Sequence, residues 1–235
     1  MMMPCRPSVI SRLLTLAVLS VCSCTQDTYD KGEGQYSNMR GDFAEATVGA
    51  DKTIVSLFTD DGETLPLSKP FSAQWITRPD TVYRCMLYYN KVRDGRNQYV
   101  AEAISVGEIP CPQVIPLAEL EMPMKTDPVN FESAWLSKTG RYLNLSFSVM
   151  VGAVDDKDAI HSLRVVQDSI VTHADGTSTS LLRLYHDQGG VPEYYSAQSY
   201  ASILTAQISA DSVRITVNTY KGLVAKTFKL HQSLR

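Results

Sequence analysis

No stretch of this chain reaches the eighteen or so consecutive apolar residues that a membrane-crossing helix requires. Lysine and arginine never cluster into a run of five or a basic helix face, so the positive footprint of a nucleic-acid binder is missing. Four histidines, His161, His173, His186 and His231, are dispersed. None sits in an H-E-x-x-H motif or a closely spaced Cys/His pair, so a zinc site is not expected. A G-x-S-x-G elbow, a phosphate-cradling glycine loop and a dinucleotide fingerprint are also absent. The sequence therefore offers no metal site, no cofactor site and no catalytic constellation, and it reads as a non-enzymatic protein.

What is present begins with an export leader. Arg6 and Arg12 supply a positive start, and residues 13–21 (LLTLAVLSV) form a short apolar segment of the size of a cleaved signal. It runs into Cys22-Ser23-Cys24, where a lipoprotein signal peptidase would cut and the new N-terminal cysteine would be acylated. Cys24 is the expected lipidation site, because the small Ser23 precedes it, whereas Cys22 follows the bulkier Val21. Loss of residues 1–23 leaves 212 residues and moves the net charge from −3 to −5, since two arginines go with the leader. The expected location is the cell envelope, most simply the outer membrane, with attachment through lipid alone.

Two further cysteines, Cys85 and Cys111, remain in the mature chain. An oxidising compartment permits a disulfide between them, but two cysteines do not argue for one. Cys85 also suits a small core position, because Tyr83, Cys85, Leu87 and Tyr89 alternate onto one face of a strand.

Residues 24–37 are polar and glycine-containing and read as a tether. From residue 38 to 112 the apolar period is close to two. The turn Thr59-Asp60-Asp61-Gly62 joins two strands as a hairpin, and further strands cover residues 81–89 and 98–106. About five short strands without a helix predict a small barrel. Prolines at 110, 112, 116 and 128 punctuate an expected inter-domain connection. Residues 117–235 then form a second all-β set, with strands at 131–136, 142–151, 163–171, 180–185, 213–220 and 224–230. In residues 142–151, Leu143, Leu145, Phe147 and Val149 face one way, and Asn144, Ser146 and Ser148 the other. This pattern predicts two packed antiparallel sheets. One short helix is expected around residues 197–206.

Residues 186–195 (HDQGGVPEYY) concentrate unusual side chains. His186, Asp187 and Glu193 could line a polar pocket, but acid–base chemistry needs such groups convergent. The preferred reading is architectural: a strand ending at Asp187, a Gly-Gly turn, Tyr194 or Tyr195 packing back on the sheet, and Glu193 tying loop amides. The acidic stretches at residues 155–158 and 60–63 read as turns, the former lacking the glycine and distal Glu of a calcium loop. Trp75, Trp135, Tyr88 and Tyr89 could stack on sugars, although core or inter-domain packing is the default for each.

Several segments together resemble the NigD-like lipoproteins of Bacteroides-type bacteria: residues 29–37 (YDKGEGQYS), 59–62 (TDDG), 83–91 (YRCMLYYNK), 142–145 (YLNL) and 186–196. The resemblance spans nearly the whole mature chain in order. It implies an N-terminal OB-type barrel followed by a C-terminal β-sandwich, a bacteriocin-operon or immunity-type role, and no established catalytic residues. The expectation is thus a lipid-anchored protein that binds another macromolecule, with a glycan-binding accessory lipoprotein as the alternative.

Overall fold

The computed structural model describes residues 39–153 and 159–230. The leader, Cys24, the tether, residues 155–158 and His231 lie outside them. The architecture is all-β. Strands β1 (Met39–Val48), β2 (Ile54–Thr59), β3 (Thr64–Phe71), β4 (Val82–Arg93) and β5 (Tyr99–Glu108) close into a barrel in the order β1-β2-β3-β5-β4, as expected of an OB-type barrel. The period-two signal sets its core. Ala44, Ala46, Ile54, Leu57, Leu65, Cys85, Leu87 and Tyr89 all point inward and are buried. Gly62 holds φ +87° in the β2–β3 turn, the left-handed position that the Asp-Gly pair marks. Cys85 is a free thiol in this core, its Sγ 3.5 Å from the Ala44 carbonyl oxygen, and burial pushes its pKa up to about 12. Cys111 is also free.

The remaining strands are β6 (Val114–Pro116), β7 (Asn130–Leu136), β8 (Tyr142–Val151), β9 (Ser162–Thr172), β10 (Ser178–Asp187), β11 (Tyr195–Leu204), β12 (Ser212–Thr219) and β13 (Gly222–Lys229). They form a five-stranded sheet, β13-β12-β10-β9-β6, facing a three-stranded sheet, β11-β8-β7. Leu143, Leu145, Phe147, Leu182, Leu184, Ile203, Ile215 and Val217 fill the space between them.

Two expectations are corrected. Residues 197–206 are not helical: β11 runs through Leu204, and only Thr205–Gln207 form a single 3₁₀ turn. Ala197, Ser199, Ala201 and Ile203 face the sandwich core with period two, so packing overrides the helix-friendly composition. The proline-punctuated stretch is not a free connection. It contributes β6, which pairs in parallel with β9, and further bridges at Thr126–His186 and Val129–Thr219 lay it along the sandwich. As the outermost strand of its sheet, β6 can hold Pro116 without losing a ladder bond. Asn144, Ser146 and Ser148 lie on the opposite face of β8 from that core, as the alternation predicts, and are buried there too.

The reason is the barrel. Its β1–β4 wall lies against the outer face of the three-stranded sheet, and Arg84 is buried at the centre of the contact. Arg84 Nη2 donates to Asp60 Oδ2 at 2.7 Å and to Asn144 Oδ1 at 3.0 Å, and Nε donates to Ser202 Oγ at 3.1 Å. Asn144 Nδ2 and Ser202 Oγ close the ring, donating to Asp60 and Asn144 respectively. The guanidinium carbon lies 4.0 Å from the Tyr142 ring centroid, a cation–π contact. Tyr142 in turn donates to Glu45 Oε1 at 2.8 Å, which Arg141 also engages at 2.9 Å. Burial first, and then Glu45, push the Tyr142 phenol above its ordinary pKa. Phe43 meets Trp135 and Tyr200 edge-on beside this network.

Candidate functional site

The end of the sandwich remote from this network is built around residues 186–195. Strand β10 ends at Asp187, as expected, and Gly189 and Gly190 turn the chain with φ +60° and +78°. At Gly189 glycine is required on two counts, since a Cβ would lie 2.0 Å from the Ile160 carbonyl oxygen. Asp187 braces the turn: Oδ1 accepts from the Gly189 N–H at 3.0 Å and Oδ2 pairs with Lys125 Nζ at 2.6 Å. The Lys125 hydrogen bond holds the Asp187 carboxyl below its ordinary pKa. Asp127 Oδ2 accepts the Gln188 N–H at 2.7 Å.

His186 is buried, and its Nδ1 lies 3.0 Å from the Asp127 carbonyl oxygen. A carbonyl only accepts, so Nδ1 carries the proton and Nε2 is left to accept from His161 Nδ1, 3.0 Å away. The two rings are stacked, with 15° between their planes. Burial first, then the neighbouring His186, lower the His161 pKa, because a charge taken out of water in this position is costly.

The tyrosines do not pack back on the sheet. Tyr194 is 75% exposed and Tyr195 60%. The roles expected of them fall to neighbours. Val191 is the apolar plug of the corner, and Gln188 Nε2 ties the loop by donating to the Met150 and Val191 carbonyls at 2.7 and 2.9 Å. Among the described residues Glu193 ties no loop amide; its Oε2 accepts from Tyr220 Oη at 3.3 Å, at the β12–β13 turn. Tyr194 instead lies across Gly152, where a Cβ would sit 2.7 Å from its ring. His186 and Glu193 therefore serve different partners, one inward and one outward, and form no acid–base pair. With Ile160, Tyr220 and Leu223 also exposed, this end presents apolar and aromatic side chains on a braced scaffold.

The tryptophans are half-buried. Trp75 meets Tyr83 edge-on against the barrel core, and Trp135 meets Phe43 at the barrel–sandwich contact. Tyr89 is buried and donates to Asp42 Oδ2 at 2.7 Å, while Tyr88 stays exposed. No group of three or more His, Cys, Asp or Glu suited to a metal occurs among the described residues. No helix among them is long and apolar enough to cross a membrane.

Residues 114–230 match the NigD-like C-terminal beta sandwich domain. The chain is similar in structure to a NigD-like immunity protein from Bacteroides caccae, at 24% identity and a TM-score of 0.59, covering 80% of this chain and 92% of that one. It is also similar to a protein described as toxin-related from Parabacteroides distasonis, at 16% identity and a TM-score of 0.61, covering 83% and 95%. A third similar structure is described as a lipoprotein, from Bacteroides fragilis, at 11% identity and a TM-score of 0.59, covering 83% and 100%. At these identities the similarities speak for a shared fold. No curated protein sequence matches the chain. The match of residues 114–230, with the same architecture throughout, places the chain in the NigD-like family.

Proposed function

We propose that the protein is a non-enzymatic, lipid-anchored component of the cell envelope that binds another protein through the tyrosine-bearing end of its sandwich. The carrying observation is the exposure of Tyr194 and Tyr195 on a loop that Asp187, Gln188 and Gly189 hold rigid. Tyrosine gives large contact area at low entropic cost, which is why it is enriched where proteins meet. A braced loop also avoids most of the ordering cost of association. The half-buried, ring-paired state of Trp75 and Trp135 and the burial of Tyr89 leave only Tyr88 of the four glycan candidates exposed, which favours a protein partner over a sugar. An immunity-type role, with a toxic protein as partner, is the form of this proposal that the family resemblance favours.

Cys24 carries the lipid in this reading. Cys24→Ala should leave uncleaved precursor or release the protein from membranes, with Cys22→Ala behaving as the native chain. The reverse pattern would move the cleavage site. Capture from native membranes with the acylated protein tests the binding role. A partner retained by the native chain and lost on Tyr194→Ala or Tyr195→Ala, with thermal stability unchanged, supports it. Equal capture by both variants and the native chain rejects this surface.

A further inference from the structure

The edge of the three-stranded sheet at β11 differs from every other outer strand of the sandwich. Strand β13 carries exposed Lys226 and Lys229, β6 is three residues long and ends in Pro116, and the β7 ladder is broken by a bulge at Glu132. These are the usual devices that stop a sheet from recruiting a further strand. Strand β11 has none of them. Its ten residues, YSAQSYASIL, include no charge, proline or glycine, and its register with β8 runs unbroken from Tyr195↔Val151 to Leu204↔Tyr142.

The direction of its backbone groups follows from one bond. The Ser202 N–H leaves the β8 ladder and donates to the Pro110 carbonyl at 3.0 Å. In an antiparallel pair the outward direction recurs at alternate residues, so Gln198, Tyr200 and Ser196 present their N–H and C=O groups on the same outer side. Among the described residues β8 is the only strand paired with β11. Pro110 thus occupies the place at Ser202, and among the described residues the places at Tyr200, Gln198 and Ser196 take no further backbone partner. Beside the row stands Tyr88 of the barrel, which is exposed; burial first, and then Tyr88 and Glu132, raise the Tyr200 pKa.

We propose that β11 accepts an extended, uncharged segment of the protein partner as a fourth strand, a mode in which main-chain bonds supply affinity and side-chain contacts supply selection. This deepens the reading of the protein as one that binds another protein, and rests on it. The guest spans about five to seven residues, since alternate positions along a strand are roughly 6.6 Å apart and Pro110 blocks the row beyond Ser202. That block also favours a flexible segment over a second copy of this chain. Self-pairing about Gln198 would bring Tyr194 of the other copy to the place Pro110 holds. Guest side chains on the barrel side would meet Tyr88 and Tyr200, which selects an apolar or aromatic residue there.

The test uses random heptapeptides displayed on phage, selected on the mature full-length chain and resynthesised. Two series of each peptide are N-methylated at alternate sets of residues. The expected result is that one series loses binding by about tenfold or more while the other retains it, and that the amides of Gln198 and Tyr200 exchange quickly in the free protein and become protected with peptide. Ser196→Pro removes only an outward donor and Gln198→Lys adds an edge charge; both should weaken binding about tenfold while leaving the thermal midpoint within a few degrees. Equal binding of the two series, no selectable peptide, or protection of those amides in the free monomer would overturn the proposal. Concentration-dependent protection with dimer formation would overturn it in favour of self-pairing. A membrane partner that survives Ser196→Pro but is lost on Tyr194→Ala removes the edge while leaving the protein-binding reading intact.

Discussion

The two ends of the sandwich handle difficult side chains in opposite ways. Where the barrel meets β8 and β11, a full charge is taken out of water: Arg84 is buried, and Asp60, Asn144, Ser202 and the Tyr142 ring compensate it. At the far end, Tyr194 and Tyr195 leave apolar surface in water while side chains brace the backbone beneath them at Gln188, Gly189 and Met150. The first arrangement holds parts of one molecule together, because a buried cation deprived of its partner is costly. The second costs little to the fold, since truncating an exposed ring creates no cavity. On the proposed function, stability and recognition are thereby carried by separate residues.

Substitution at the contact with the barrel should break this contrast most severely. Arg84→Ala takes one of two donors from each of Asp60 and Asn144, leaves the Asp60 carboxylate without its counter-charge, and should cost about 3–5 kcal/mol, measured by chemical denaturation. Arg84→Met combined with Asp60→Leu should recover part of the loss. A single-variant cost below about 1 kcal/mol would mean that the network is incidental to holding barrel and sandwich together. Next comes the brace of the far end. Gly189→Ala must displace the Ile160 carbonyl and should cost more than Gly190→Ala, where the nearest atom to an added Cβ is 3.9 Å away. The latter should lose about 1 kcal/mol from its positive φ alone.

Tyr194→Ala and Tyr195→Ala should each change stability by less than about 0.5 kcal/mol. A loss of 3–5 kcal/mol, the cost of deleting a buried ring, would show that the ring is packed in solution and would close the far end as a binding surface. The smallest effect concerns pH. The His161 pKa is lowered from 6.5 on folding, so the unfolded chain takes up this proton first. Stability from this group is therefore complete above 6.5 and falls as pH drops through 6.5 toward the lower folded value. Thermal midpoints measured between pH 7.5 and 5 should fall less steeply for His161→Gln than for the native chain; identical slopes would leave the histidine pair without a role in acid sensitivity.

The barrel and most of the sandwich are legible in the alternation of apolar residues, because alternation is enforced wherever one face of a strand meets a core. Strand β11 escaped that reading since Ala197, Ser199 and Ala201 are small and unbranched, and their burial depends on the strand opposite rather than on their own hydrophobicity. The polar face of β8 was visible, but its burial was not: Asn144 is covered by Arg84, sixty residues away along the chain. Asp60 read only as part of a turn for the same reason. The tyrosine corner failed on a choice of neighbour. Val191 is small enough to fill the corner and Gln188 has the amide to tie it, which frees both rings for solvent.

The Arg84 network also sets a path for mechanical load. A pull on the N-terminus enters the described structure at Met39, the start of β1, which is zipped to both β2 and β4. From there Phe43 and Glu45 hand it to Trp135, Tyr142 and Arg141, and β8 carries it along its length to β11 and the loop at Tyr194. Force applied at one extremity is therefore transmitted to the other through ladders loaded side by side, and a tug between an anchor and a bound partner would strain the barrel wall before it strained the chain segment joining barrel and sandwich.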